Sequence, residues 1–247
     1  MFDRFRERSH ELEHLDKGDY TPEEYEGCMV ELRRVNRFLG DASALRRSLF
    51  SEIERAGLGV FSVLDVGAGS GELLRVAADW SRRTGRRARL VGLEFNARAA
   101  QAIREESHAL PEVASVQGDA LCLPFANGCF DYAICSLFTH HFRDEQVVLI
   151  LRELSRVARR RIFVIDLHRH AFAYYLYTTL GRLLLHNRLI REDGALSILR
   201  SFRPDELRRL AERARLADIQ MRRRFPFRLV LSGKGKEETR DRIQNTE

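Results

Sequence analysis

The sequence predicts an α/β fold in which seven strands form a mostly parallel sheet with helices on both faces. Three observations carry this. From about residue 60, short apolar runs alternate with amphipathic stretches of helical spacing, the pattern of strands and helices in turn. The run Phe163-Val164-Ile165-Asp166 is nearly all apolar, as a strand covered on both faces requires. A β-branched run over Val60–Val66 stops at a glycine-rich turn and is followed at once by helical periodicity.

Residues 1–55 read as mainly helical. Thr21-Pro22-Glu23-Glu24 supplies an N-cap, a proline in the first turn and early acids, and the segment is expected to form an N-terminal helical lid. The core domain is expected over 56–233. Its strands fall at Val60–Val66, Arg89–Glu94, Val113–Gln117, Phe130–Ser136 and Arg161–Asp166. Helices fall between them at Glu72–Ser81, Ala97–His108 and Glu145–Val157, the last with Leu149, Leu151 and Leu154 among its apolar positions. A helical insertion after the fifth strand, about 168–203, breaks this rhythm. It carries Tyr174, Tyr175, Tyr177 and the run Leu183-Leu184-Leu185, but is too short, and too punctuated by Arg182, His186 and Arg188, to span a bilayer. Ser201-Phe202-Arg203-Pro204 opens a further helix, and Ile219–Leu231 supplies two terminal strands around Pro226. Residues 234–247 form a polar tail.

At 247 residues the chain suits one α/β domain with an appended cap. The net charge of +6 arises from 42 basic residues interspersed with 36 acidic ones, which describes a solvated surface and not a nucleic-acid footprint. Arg159-Arg160-Arg161 and Arg222-Arg223-Arg224 adjoin apolar runs and mark edges of the core. The charged start Met1-Phe2-Asp3-Arg4 has no apolar stretch behind it, so a cytoplasmic protein without integral membrane association is expected. Cys28, Cys122, Cys129 and Cys135 form no CxxC pair and no metal-ligand spacing, so reduced thiols and no metal are expected.

The glycine turn carries the first chemistry. Gly67, Gly69 and Gly71 let the backbone turn sharply and admit a ligand close to main-chain atoms. The dinucleotide fingerprint G-x-G-x-x-G would rest a pyrophosphate on the helix N-terminus. Here the third glycine comes one residue early and Glu72 stands where that fingerprint has glycine, so the turn suits a ligand without phosphates. Asp65, just before it, adds negative charge for a cationic or amine-bearing ligand. Glu94, at the end of the second strand, can accept from both hydroxyls of a ribose. Asp119, after the third strand, can accept from an adenine amino group. Three such strand ends in order imply an adenosine across the switch point of a parallel sheet.

The run Val63-Leu64-Asp65-Val66-Gly67-Ala68-Gly69-Ser70-Gly71, with Glu94, Asp119 and Phe130-Asp131-Tyr132-Ala133, resembles the class I S-adenosylmethionine-dependent methyltransferases of small-molecule type over roughly residues 60–166. The resemblance implies a Rossmann-like sheet and S-adenosylmethionine as cofactor. It places Gly67, Ala68, Gly69 and Gly71 at the methionine moiety, Glu94 at the ribose, and Asp119 with Ala120 at the adenine. Phe95 would lie against the adenine ring or belong to the core, and Asp65 would act through water or backbone.

Methyl transfer to a hydroxyl needs a base, and His140, His141 and His168 follow the fourth and fifth strands on the expected cofactor face. Each is also explained by packing alone. Arg169 and Arg200 are weaker candidates for holding an acidic substrate group. The segment Cys135-Ser136-Leu137-Phe138-Thr139-His140-His141-Phe142 lacks the Asn/Asp-Pro-Pro-aromatic pattern of amino-methylating enzymes, and no Pro-Cys or Thr-Cys nucleophile appears. The expectation is methylation of a phenol or enol hydroxyl on a hydrophobic metabolite. The alternatives are C-methylation of a quinone-like ring, RNA methylation, or cofactor binding without transfer.

Overall fold

The computed structural model describes residues 3–38 and 40–235. The chain begins with a short helix His14–Lys17 (α1) and a long one, Pro22–Phe38 (α2). Asp41–Leu45 (α3) then runs through a π-helical turn, Arg46–Phe50, into Ser51–Arg55 (α4). The sheet follows: Val60–Val66 (β1), Glu72–Arg83 (α5), Arg87–Glu94 (β2), Ala97–Glu106 (α6), Val113–Gln117 (β3), Phe130–Ser136 (β4), Asp144–Val157 (α7) and Ala158–Leu167 (β5). Ala171–Leu184 (α8) and Arg188–Arg200 (α9) form the insertion. Pro204–Arg213 (α10), Leu216–Arg224 (β6) and Arg228–Gly235 (β7) complete the described chain. Of the expected tail, Lys234 and Gly235 end β7, and 236–247 lie outside the described residues.

The seven strands are ordered β3-β2-β1-β4-β5-β7-β6, with β7 antiparallel to both neighbours and the other pairings parallel. The strand order reverses between β1 and β4, so their C-terminal ends diverge into a crevice where ligands bind in such sheets. The expected strands all form. β5 begins three residues before the sequence pattern suggested, because the polar stretch Arg159–Arg161 is satisfied on the strand: Arg159 and Arg160 pair with Asp131, and Arg161 with Asp218.

Both faces of the sheet are covered by core. On one, Leu64, Val91, Ala133 and Val164 pack against Val147, Leu151 and Leu154 of α7 and Leu207 and Leu210 of α10. On the other, Val63, Leu90, Tyr132 and Phe163 pack against Leu74 and Trp80 of α5 and against Leu45, Leu49, Phe50 and Ile53. Phe50 stacks on Trp80 at 4.2 Å. The N-terminal segment expected as a lid to residue 55 is thus two things. Residues 41–55 belong to the core, and only the part up to Phe38 lies over the insertion, where Cys28 of α2 meets Leu189 and Ile190 of α9.

Two buried arginines bolt the cover down. Arg169 donates to the carbonyls of Phe5, Arg6 and Ser201 and pairs with Glu206. Arg200 donates to the carbonyls of Glu11, His140 and His141. Their donors are consumed by the protein itself, which corrects the expectation that they hold an acidic substrate group.

A third buried arginine, Arg228 on β7, pairs with Asp41 of α3 in the dry space between sheet and helix. Removing one partner strands the other charge, which costs far more than a surface ion pair. Arg228→Met is therefore expected to lower stability by about 3–5 kcal/mol, read by chemical denaturation. The double variant Arg228→Met/Asp41→Leu should recover most of that loss.

Candidate functional site

The carboxyl ends of β1, β2, β4 and β5 converge on one edge of the sheet, and the groups expected to carry chemistry lie there. After β1 the chain turns through Gly67, Gly69 and Gly71, all with positive φ (70°, 57° and 81°), a backbone that residues with a Cβ rarely adopt. At Gly67 a Cβ would also fall inside the ring of Phe138. Glu94, at the end of β2, accepts a 2.6 Å hydrogen bond from the Gly69 amide, so the turn and this carboxylate form one unit. Burial raises the Glu94 carboxyl above its usual range against the pull of that amide.

Asp65 is enclosed beneath the turn, and its Oδ1 has no hydrogen-bond partner. Burial, and then the Glu94 carboxylate, push the Asp65 carboxyl up to about 8. At neutral pH it is therefore protonated in this structure, which revises the expectation of a fixed negative charge; a cation placed beside it would draw out its proton. Phe95 is 76% exposed at the mouth of the crevice and is not core. Asp119 is exposed after β3, where one oxygen caps the Leu121 amide at 2.9 Å, and Ala120 is buried beneath it.

The segment after β4 is held by a residue the sequence reading passed over as the end of an apolar strand. Asp166, fully buried at the end of β5, accepts from Thr139 Oγ1 (2.5 Å), the His140 amide (3.1 Å), His140 Nδ1 (2.7 Å) and the Leu167 amide (2.8 Å). Burial alone would raise its carboxyl, but His140 and the other donors outweigh burial and hold it at about 2. An ionised Asp166 only accepts, so His140 Nδ1 carries a proton, and in the neutral ring Nε2 is then the acceptor. The visible signal was a lone carboxylate closing a buried strand beside the histidine pair.

His140 lies in the wall of an apolar cavity of about 680 Å³, formed by α8, α9, the N-terminal cover and the loops after β4 and β5. Leu176, Tyr177, Leu180 and Leu184 roof it, and Leu137, His140, His141 and His168 line its floor. Leu137 has a positive φ of 49°. Its neighbour Phe138 packs on Gly67, so one residue step separates the cavity from the glycine turn. His168 shares the cavity, but burial, then Arg223 and other nearby cations, lower it to about 4. At neutral pH it stays uncharged and is a weak base.

Glu13, brought in by the cover, was not foreseen. It is buried, accepts from Ser197 Oγ at 2.8 Å, and lies 4.0 Å from His140 Nε2 and 3.9 Å from His141 Nδ1. Burial raises its carboxyl. Glu13, His140 and His141 place donor atoms within 4.8 Å of one another, close enough for a metal ion to bridge. Arg200, 3.9 Å from Glu13 and 3.5 Å from Asp16, already balances these carboxylates.

Comparison with known proteins bears on this geometry. Residues 63–161 match a family model described as a methyltransferase domain. A 69-residue stretch is 42% identical to the 2-phytyl-1,4-naphtoquinone methyltransferase of Thermosynechococcus vestitus; it covers 28% of this chain and 29% of that protein, less than a third of its length. Among solved structures, the chain is similar to magnesium protoporphyrin IX methyltransferase of Synechocystis PCC 6803 with bound SAH (TM-score 0.55, 17% identity, 80% of this chain and 84% of that one). It is also similar to a SAM-dependent methyltransferase of Aquifex aeolicus (TM-score 0.54, 16% identity, 81% and 96%).

Residues 63–161 thus carry a methyltransferase domain on a Rossmann-like sheet whose fold is shared with solved S-adenosylmethionine-dependent methyltransferases, and S-adenosylmethionine is the cofactor that these similarities support. The glycine turn suits that ligand in this structure: the orphaned Oδ1 of Asp65 is ready for a cationic group, and open space stands over Gly69.

An unfolded aspartate titrates near about 4, so between there and about 8 the folded protein holds one more proton than the unfolded chain. Stability without ligand is expected to fall as pH rises through that window and level off above it. Asp65→Asn should flatten this slope in thermal melts taken across the window; parallel slopes for the two proteins would mean that Asp65 is already ionised in the fold.

Proposed function

We propose that this protein transfers the methyl group of S-adenosylmethionine to a phenol or enol hydroxyl of a hydrophobic small molecule, with His140 as the general base. The observation that carries the reading is the buried Asp166–His140 pair, with His140 in the wall of an apolar cavity of about 680 Å³. Such a cavity admits a ring or chain: its exposed lining is mostly apolar, with Glu13, Glu31, Asp193 and histidines as its polar groups.

In this reading Glu94 accepts from the ribose hydroxyls with the lone pairs that the Gly69 amide leaves free. Asp119 and Ala120 border the adenine, and exposed Phe95 gives its ring a face to lie on. Gly67, Ala68, Gly69 and Gly71 line the methionine moiety, and Asp65 meets its ammonium through the backbone or a water. The bound cofactor supplies an electrophilic methyl group on a sulfonium. The chain's own work is to orient the acceptor under α8 and to take its proton. Transfer of the methyl group to the hydroxyl oxygen would break its bond to the sulfonium sulfur and leave the neutral thioether cofactor. The hydroxyl proton would pass to His140 Nε2, and ionised Asp166 would stabilise the imidazolium through Nδ1. Glu13, 4.0 Å from Nε2 in the same cavity wall, and His141 beside it are placed to take that proton onward.

C-methylation of a quinone-like ring is the second reading, supported by the likeness to a naphtoquinone methyltransferase. His140 would then ionise a ring hydroxyl and leave the adjacent carbon nucleophilic. Product mass and fragmentation separate an O-methyl from a C-methyl product. RNA methylation would instead require steeply salt-dependent binding to RNA, and a cofactor-binding protein without transfer would never yield the demethylated cofactor.

His140→Gln is expected to lower kcat about 10²–10⁴-fold while calorimetric affinity for S-adenosylmethionine stays within about twofold, well under the tenfold that about 1.4 kcal/mol represents. Asp166→Asn should lower turnover as well, by releasing the ring from its tautomer. Turnover should be indifferent to EDTA; inhibition by EDTA that zinc or magnesium reverses would reassign Glu13, His140 and His141 to a metal.

For the cofactor, Glu94→Ala should weaken calorimetric affinity by at least about tenfold, since a charge-assisted hydrogen bond contributes about 1.5–3 kcal/mol. Near-normal affinity in that variant would remove Glu94 from the ribose assignment.

A further inference from the structure

The roof of the cavity has a second face. On α8, Phe172, Leu176, Leu180 and Leu184 follow at spacings of four residues, with Leu183 three after Leu180, and form one stripe along the helix. Leu176, Leu180 and Leu184 line the cavity yet remain substantially exposed, and Leu183 is 74% exposed. Phe225, at the turn between β6 and β7, is 89% exposed. That turn adjoins the start of α8, where the rings of Phe172 and Phe227 lie 5.9 Å apart. A contiguous set of large apolar side chains turned to solvent, roofing an apolar cavity, marks an interaction surface.

The charges around it choose the partner. No acidic residue occurs between Asp166 and Glu192, nor between Asp218 and the end of β7 at Gly235, although the chain has 36 acids. Those same segments carry Arg182, Arg191 and the run Arg222-Arg223-Arg224, while Arg188 is already paired with Glu24 and Glu192. A basic cleft of about 390 Å³, with His168, His170, Arg203 and Arg223 in its wall and Asp205 as its one acid, opens at the foot of α8. A second copy docked through this face would set arginines against arginines, a like-charge penalty. An anionic bilayer would neutralise them while taking up the leucines and Phe225. Among the described residues no helix is long and apolar enough to cross a membrane, so the contact would be interfacial.

We infer that this face docks on an anionic membrane surface, with α8 lying in the interface and the cavity beneath it open to lipophilic molecules dissolved in the bilayer. The inference needs the cavity and the surface but no methyl transfer. It is therefore tested by lipid binding, whose failure is separate from failure of the proposed reaction.

The test is co-sedimentation of the full-length protein with phosphatidylcholine vesicles, with and without phosphatidylglycerol, in low and high salt. The protein should pellet with the anionic vesicles, and salt or neutral vesicles should weaken this strongly. Leu183→Glu/Phe225→Glu, at two positions outside the cavity wall, should reduce partitioning by at least about tenfold while melting temperature and S-adenosylmethionine affinity stay at wild-type values. Equal binding to neutral and anionic vesicles, or none to either, would overturn the inference. So would light scattering that shows a dimer lost in the double variant, which would make the face a contact between copies. Retention on RNA in place of vesicles would do the same.

Discussion

A single buried carboxylate organises the functional end of this sheet. Asp166 closes β5 with no exposure to water, and four donors from Thr139, His140 and Leu167 converge on it. An ionised group so placed would be intolerable without them, because burial of an unpaired charge costs many kcal/mol. The reciprocal constraint matters more. The loop after β4 must bring its hydroxyl, amide and imidazole to one point, which fixes the tautomer of His140, the left-handed turn at Leu137 and the place of Phe138 against Gly67.

The cover then builds on this point by a different physics. Arg169 and Arg200 are buried arginines that spend most of their donors on backbone carbonyls, from the N-terminal segment on one side and the loops after β4 and β5 on the other. A guanidinium with five donors in a fixed fork suits this task better than an ammonium would. The result is that residues separated by more than a hundred positions, such as Glu13 and His140, share one wall of the cavity. The cavity is thus made by the appended helices, while the sheet supplies the reactive end.

The same helix that roofs the cavity also exposes Phe172, Leu176, Leu180, Leu183 and Leu184. Its sequence has no acid and one arginine, and its fourfold-spaced leucines serve the inside and the outside at once. A helix whose only duty was to seal a cavity would present polar residues outward. The absence of acids along α8 and in the β6–β7 turn, set against a chain that elsewhere mixes its signs, is the surface counterpart of the lipophilic interior.

Much of this was legible in the sequence, because the signals are local. Strand and helix alternation, the glycine turn and the carboxylates at strand ends follow from spacing along the chain, and the strands expected at 60–66, 113–117 and 130–136 form with those limits. The histidine pair after β4 was visible as candidate chemistry, and so was the apolar insertion. What tertiary structure alone decided is which of these groups meet. Asp166 looked like the end of an apolar strand until parallel pairing of β4 and β5 set it under His140. Glu13 carried no signal at all, since its place depends on how the cover is bolted to the sheet. Residues 41–55 read as lid helices, yet their apolar side chains face the sheet and belong to its core. Asp65, written in the sequence as a charge, becomes a neutral acid once burial removes its water. Local periodicity specifies elements and their order; proximity across the sheet, and the desolvation that sets each group's protonation, exist only when the chain has closed on itself.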